Sequence, residues 1–244
     1  MDILFQDSFL VAVNKPAGLL VHRTQLDWRE SDSAVQQLQE QLGVKVYPVH
    51  RLDRPTSGVL VFALAAPIAR TLSKAFMAKQ VNKSYLAVVR GFAPAETTVD
   101  HPLKEELDPI ADRSANPDKA AQDAVTEVTT LDQVELPFKV DRFPTSRYSL
   151  VRAKPITGRK HQVRRHLRHL GHPIVGDVNH GSGKHNRFFR DQYGVSRLLL
   201  ACESMSFDHP VLPKRLHITA ALCDQFLGVL QTFHWESHAT PAKN

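Results

Sequence analysis

The sequence predicts a protein of mixed α and β structure, and three observations carry that expectation. Short runs rich in Val, Leu and Phe, bounded by turn residues, lie at Gly58 to Ala66 and at Lys83 to Gly91, while alternating patterns run from Ala124 to Leu131 and from Arg147 to Ala153; both kinds suit strands. Between and after them, apolar residues recur at helical spacing in three places. The 244 residues, 42% of them hydrophobic, suffice to bury a sizeable core, as one large domain or as two intimately packed halves.

Taken in order, Ile3-Leu4-Phe5 and Phe9 to Val13 read as two short strands around a turn, followed by Asn14-Lys15-Pro16-Ala17-Gly18. Ser31 to Leu42 is helical, with Ser31 or Asp32 as the cap and Val35, Leu38 and Leu42 on one stripe. Pro67 opens a second helix reaching about Ala78, with Ile68, Leu72, Ala75 and Phe76 as core material. Residues Glu96 to Ala124 hold eight acids against three Lys/Arg, with several prolines, and read as an acidic, loop-rich insertion within a single domain spanning residues 1–244. Leu136 to Ser146, with Pro137 and Pro144, connects the two alternating strands. Val163, Leu167 and Leu170 bury one stripe of a third helix, which Gly171 ends, and His161, Arg164, Arg165 and Arg168 gather on its other side. A flexible tail is expected over residues 236–244.

Charge narrows the function classes. The chain carries +6 with a pI near 9.4, and the excess is local. Lys154 to Arg190 holds nine Lys/Arg against one acid, Asp177, whereas the remainder holds 22 Lys/Arg against 24 Asp/Glu. Such a segment suits a face that binds phosphate backbones. Cys202 and Cys223 have neither pairing nor metal-ligand spacing, which fits a reducing compartment. The amino terminus has no basic region followed by an apolar core, and no stretch approaches the roughly 18 apolar residues of a membrane span. A soluble, cytoplasmic, monomeric protein is expected.

The chain is organised around Val49 to Ala65. Within it, Asp53 stands between Arg51 and Arg54, just before Pro55, Thr56, Ser57 and Gly58, on a turn that leads into an apolar strand. A carboxylate buried there alone would have its pKa raised, whereas a cation within about 4–6 Å lowers it by roughly 1–3 units. Several other sites can be set aside. Six of the 13 histidines lie between His161 and His185, but they alternate with arginines and lack carboxylate or Cys partners, so no metal is expected. Gly181-Ser182-Gly183-Lys184-His185 fails as a phosphate loop, since Val178 stands where the first Gly belongs and His185 follows the Lys. His50-Arg51-Leu52-Asp53 has no G-x-G-x-x-G or D-F-G to make it a kinase loop.

The string His50-Arg51-Leu52-Asp53-Arg54-Pro55-Thr56-Ser57-Gly58 resembles the catalytic motif of the pseudouridine synthases that modify uridines in ribosomal and transfer RNA. Asn14-Lys15-Pro16-x-Gly18, then K-x-Y-x-A-x-V-x-G from Lys83 to Gly91, and T-G-R-x-H-Q-x-R-x-H-L from Thr157 followed by G-H-P-I-V-G-D are similar to that family's other motifs, in the same order. The resemblance implies the α+β pseudouridine synthase fold: a mixed, mostly antiparallel central sheet, flanking helices and a central RNA-binding cleft. It implies Asp53 as the catalytic carboxylate, Arg164 as its partner, and Tyr85 stacking on the flipped uracil or moving a proton from the sugar. Arg51 would fill the gap left by the flipped base, a planar guanidinium recovering part of the few kcal/mol that flipping costs. Arg54, Arg159, Lys160, His161, Arg165 and Arg168 would meet RNA. Leu199 would line the uracil pocket, although Ala201-Cys202 departs from the family's commoner R-L-x-L-H-A.

The implied reaction breaks the bond from N1 to C1′, rotates the base and joins C5 to C1′. It involves no redox change or net hydrolysis, so no cofactor is expected. Arg54-Pro55, the acidic insertion and the stretch from Asp177 to Arg187 are similar to the tRNA-modifying branch, which implies tRNA as partner and the uridine at conventional position 65 as target. No extra amino-terminal RNA-binding module is read. The alternatives are a synthase acting on large-subunit ribosomal RNA and a non-catalytic RNA-binding protein.

Overall fold

A computed structural model describes residues 1–22, 32–105 and 120–239. Their strands form one ten-stranded sheet in the order β1-β2-β4-β9-β5-β8-β7-β6, with β3 on β4 and β10 on β9. The first half comprises β1 (Asp2–Gln6), β2 (Leu10–Lys15), α1 (Ala34–Leu42), β3 (Tyr47–Pro48), β4 (Ser57–Ala63) and α2 (Ala66–Met77). The second comprises β5 (Asn82–Arg90), β6 (Glu96–Asp100), β7 (Val125–Leu136), β8 (Ser146–Pro155), α3 (Gln162–His169), α4 (Gly183–Tyr193), β9 (Leu200–Asp208), β10 (Arg215–Thr219) and α5 (Asp224–Thr232). Every pairing between these strands is antiparallel except β4 with β9, so the expected mixed, mostly antiparallel sheet is present.

That one parallel pairing joins the halves, and it is short: Ser57 faces Ala201 and Gly58 faces Cys202. Gly58 has φ +111, and a Cβ placed on it would overlap the Cys202 carbonyl. Only glycine lets the backbones approach this closely at that φ. Beyond it, β4 is buried along its whole length, as a strand covered on both faces should be.

Strand alternation sends successive residues of β5 to opposite faces. Ala87 and Val89 pack with Val163 and Leu167 of α3 on one face, while Leu86 and Val88 pack with Phe189 of α4 and Phe226, Val229 and Leu230 of α5 on the other. Leu38 and Leu72 cover the first half, packing on a cluster that includes Val13, Leu60 and Phe62.

Several sequence expectations need correction. The cap of α1 is Ser33, whose Oγ accepts from the Gln36 N–H at 3.3 Å, and not Asp32; Ser31 lies outside the described residues. The acidic insertion opens with a strand, since β6 pairs with β7 from Glu96 to Asp100, and its stretch 106–119 lies outside the described residues. The chain from 236 onward is not simply a tail. Trp235 is buried, residues Glu236–His238 form a 3-10 turn, and Arg152 Nη2 donates to the His238 carbonyl at 3.3 Å; residues 240–244 are outside the description.

Two histidines, His185 buried and His50 half-buried, couple this packing to pH. His50 accepts a hydrogen bond from the Val61 N–H at its Nε2 (3.0 Å) and stacks on Phe76, and burial pulls its pKa down to about 3. His185 shares a hydrogen bond with the Tyr148 hydroxyl at 2.7 Å, and burial followed by the Arg90 charge pulls it down to about 4. Both are neutral in the fold yet titrate near 6.5 when unfolded, so the unfolded chain binds more protons below that pH. Urea midpoints should therefore hold steady above about pH 6.5 and fall as the pH is lowered towards 4, before most carboxylates titrate. His185→Gln should make that decline shallower. Gly58→Ala should destabilise the fold by about 3 kcal/mol through overlap and backbone strain, read as a lower urea midpoint at pH 7.5.

Candidate active site

Asp53 sits on the turn between β3 and β4, which closes when the Thr56 N–H donates to the Asp53 carbonyl at 3.0 Å. Lys15, at the end of β2, braces this turn from within. It is fully buried, and its Nζ donates to the carbonyls of Pro16, Leu19 and Arg54 at 2.8, 2.8 and 3.2 Å. Burial and the nearby Arg197 charge draw the Lys15 ammonium down to about 7. Arg54 is exposed, and its Nε donates to the Gly18 carbonyl at 3.0 Å, tying the turn to the loop after β2.

Arg164 arrives from α3. Its Nη1 donates to Asp53 Oδ2 at 3.2 Å, while Nε and Nη2 donate to the two oxygens of Asp177 at 2.7 and 2.9 Å. The Arg164 side chain is 3% exposed and that of Asp177 0%, against 20% for Asp53. The buried carboxylate therefore grips the guanidinium, and the accessible one uses its remaining edge. Burial opposes the charge on Asp177, but Arg164 and the N–H groups of His180 and Asn179 outweigh it and hold the carboxyl below its usual range. Arg164 is likewise held charged, above the ordinary guanidinium value, against the cost of burial. Asp177 was not foreseen as a site residue: the sequence shows a single acid within a run of nine cations, and its contact with Arg164 is what marks it.

His161 precedes α3 in the left-handed region (φ 55) and brings Nε2 to 4.0 Å from Asp53 Oδ2, with Nδ1 3.0 Å from His180 Nε2. Gln162 anchors this bend. Its Oε1 accepts from Thr157 Oγ1 and the Arg159 N–H, and its Nε2 donates to the Val125 carbonyl and Thr126 Oγ1, all within 2.7 to 3.0 Å.

These groups surround a cleft of about 660 Å³, lined also by Arg51, Lys83, Tyr85, Arg159, Lys160, Arg165 and Leu200. Tyr85 pairs with Cys202 across β5 and β9. Burial, then the neighbouring Cys202 and Asp53, push its phenol well above the ordinary value, so it stays a protonated donor at neutral pH. Burial pushes the Cys202 thiol up to about 12, which leaves it unreactive. Lys83 was also missed; its Nζ donates to the Thr157 carbonyl at 3.1 Å, although it heads the same motif as Tyr85.

Three predicted residues lie outside the cleft lining. Leu199 packs with Leu86 and Phe226 on the far face of the sheet, and its neighbour Leu200, turned the other way, is the leucine in the cleft. Arg168 is exposed on α3 outside the cleft lining, and Arg54 holds its turn as described above. The helix face proposed for His161, Arg164, Arg165 and Arg168 is thus divided, because Arg164 turns inward to two carboxylates. Among the described residues no group of three or more His, Cys, Asp or Glu is placed to hold a metal ion, and no helix is long and apolar enough to cross a membrane.

The motif-bearing turns, strand and helix fall within one comparison: a model of RNA pseudouridylate synthase matches residues 9–169. The chain belongs to the RNA pseudouridylate synthase family. Among curated relatives it is 51% identical over 236 residues to the tRNA pseudouridine synthase C of Pasteurella multocida (strain Pm70), covering 97% of each chain. It is 50% identical, with the same coverage, to the protein of that name from Vibrio cholerae serotype O1. Among solved structures, human RNA Pseudouridylate Synthase Domain Containing 4 superposes with a TM-score of 0.70 at 26% identity, covering 96% of this chain and 93% of that one. This synthase fold brings Asp53 and Arg164, 111 residues apart, into one ion pair.

The grip of Asp177 on Arg164 should be measurable. Asp177→Asn should lower kcat by about 10- to 100-fold, by letting the guanidinium drift, with KM little changed. It should also cost about 3–5 kcal/mol of stability, the usual penalty for breaking a buried ion pair from one side. Steady-state kinetics and urea denaturation on one preparation check both.

Proposed function

We propose that this chain is an isomerase that converts uridine to pseudouridine in tRNA, and that its target is the uridine at conventional position 65. The observation that carries the reading is Asp53, a partly exposed carboxylate on the floor of a basic cleft, held by a buried guanidinium. An ionised carboxylate can add to the nucleoside or stabilise cleavage of its N1–C1′ bond. The detached uracil then turns, C5 joins C1′, the C5 proton leaves and N1 gains one, so atoms and electrons balance without a cofactor. The two curated relatives described above, named as tRNA pseudouridine synthases, favour tRNA over ribosomal RNA.

The remaining roles follow from placement. Arg164 keeps the Asp53 carboxylate ionised and aimed into the cleft. Tyr85, protonated at neutral pH, stacks on the flipped uracil and donates a hydrogen bond; withdrawing a proton as a phenolate would first require its burial to be relieved. Arg51, exposed at the rim two residues from the carboxylate, enters the gap left by the flipped base. Arg159, Lys160, His161 and Arg165 line the same cleft and meet the RNA around the target.

Carbodiimide marking of pseudouridine followed by reverse transcription, on RNA from cells lacking the protein, should show the stop at tRNA position 65 disappear and return with the intact gene. Asp53→Ala should fail to restore it while the purified variant still binds tRNA with a Kd within about threefold of the original. Loss of a ribosomal RNA stop instead would reassign the substrate, and full restoration by Asp53→Ala would remove Asp53 from the chemistry.

A further inference from the structure

The basic surplus between Lys154 and Arg190 does not all converge on the cleft. Lys184, Arg187 and Arg190 lie on α4, exposed at three-residue spacing on one stripe, and none lines the catalytic cleft. Beside the start of α4 is a second cavity of about 390 Å³, lined by residues that include Arg90, Asp141, Phe143, Ser146, Arg147 and His185. It lies five residues along β5 from Tyr85, about 17 Å at strand spacing, and alternation puts it on the face covered by α4 and α5 rather than α3.

Four features of this surface suit RNA. Three phenylalanines that a folded protein would ordinarily bury are exposed around it, Phe92 at 40%, Phe138 at 42% and Phe143 at 55%. Two of them carry guanidiniums on their faces: Arg147 lies 5.0 Å from the Phe92 ring centre, and Arg142 lies 4.6 Å from that of Phe143. His185, 4% exposed, has its Nδ1 engaged by Tyr148 while its Nε2 has no hydrogen-bond partner among the described residues. The three nearby acids are already paired, Asp141 with Lys184 at 2.6 Å, Glu135 with Arg147 at 3.2 Å and Asp191 with Arg190 at 3.1 Å, which leaves Arg142 and Arg187 with no acid paired to them among the described residues.

We propose that this surface is a second RNA contact, in which the cavity takes one unstacked nucleobase and the α4 stripe, with Arg142 and Arg147, takes the phosphates around it. Aromatic rings and guanidinium planes are what single-stranded bases stack on, and a base edge can engage a buried polar atom such as His185 Nε2. Because the two sites lie at different ends of β5 and on opposite faces, the nucleotide here is distinct from the target and belongs to a more distant part of the RNA. The proposal rests on the tRNA reading for its natural ligand, while the surface itself is tested by binding.

The experiment compares two RNAs, full-length tRNA and a short stem-loop that carries the target uridine alone. Replacing Arg142, Arg187 and Arg190 together by Gln should weaken full-length tRNA binding by about tenfold or more and lower the slope of log Kd against log salt by about 2–3. KM and kcat on the stem-loop should stay as they were. Phe143→Ala should weaken tRNA binding with no change of salt slope, since it removes stacking and no charge. Ultraviolet cross-linking of tRNA to the unaltered protein, with peptide mapping, should label the segment containing Phe143. Unchanged tRNA affinity in the triple variant, equal losses on both RNAs, or cross-links confined to the catalytic cleft would overturn the proposal. If the unaltered protein binds both RNAs yet modifies neither, the reading of function fails and the binding results still decide the surface.

Discussion

Arg164 belongs to two carboxylates at once, and the site depends on that sharing. A buried arginine is costly unless its charge and its donors are met, and here Asp177 meets both with two short bonds from a position closed to water. One edge of the guanidinium is left over, and it points at Asp53, which comes from the other half of the molecule. A single ion pair between Arg164 and Asp53 would leave the arginine free to follow its partner. The second carboxylate makes the arginine a fixed part of the second half, so that the orientation of Asp53 is set by how the two halves join.

The backbone part of that joint is short, while Met205, Phe207, Leu216 and Ile218 of β9 and β10 pack on the core of the first half. Strands β4 and β9 meet over two residue pairs, and beside them Arg197 Nη2 donates to Ser57 Oγ at 2.8 Å and to the Leu200 carbonyl at 3.3 Å. Gly58 permits the approach, Cys202 receives it, and Tyr85 lies opposite Cys202 on the next strand. Asp53, Tyr85 and Leu200 thus lie within a few residues of one seam. Their spacing follows from backbone contact, which is stiffer than any arrangement of long side chains.

Much of this was legible from residues in order, and what was not has identifiable causes. The turn around Asp53, the strand of Tyr85 and the helix of Arg164 could be read because turn residues, apolar runs and helical spacing are local signals. Asp177 could not be assigned, since only tertiary contact shows that a carboxylate 13 residues from Arg164 lies against it. Leu199 was expected in the cleft where Leu200 stands, because the face a strand residue takes depends on register, and a slip of one residue exchanges the faces. The first turn of α4, Gly183-Lys184-His185-Asn186, offers no apolar stripe, so its helix was overlooked while its lysine was weighed as a phosphate ligand. Arg168 was placed on the correct helix, but which flank of that helix meets the cleft depends on how α3 docks.

Lys15 spends all three of its donors on main-chain oxygens, one of them Arg54's, and thereby anchors the carboxylate-bearing turn from its inner side. The outer side of the turn carries Arg51, which is exposed and bears none of that load. On the proposed reading, recognition and reactivity are therefore separable within three consecutive residues. A lineage could exchange the rim arginine to suit a differently shaped RNA while the Asp53 carboxylate keeps its place, a latitude that would let one scaffold diversify its targets without rebuilding its interior.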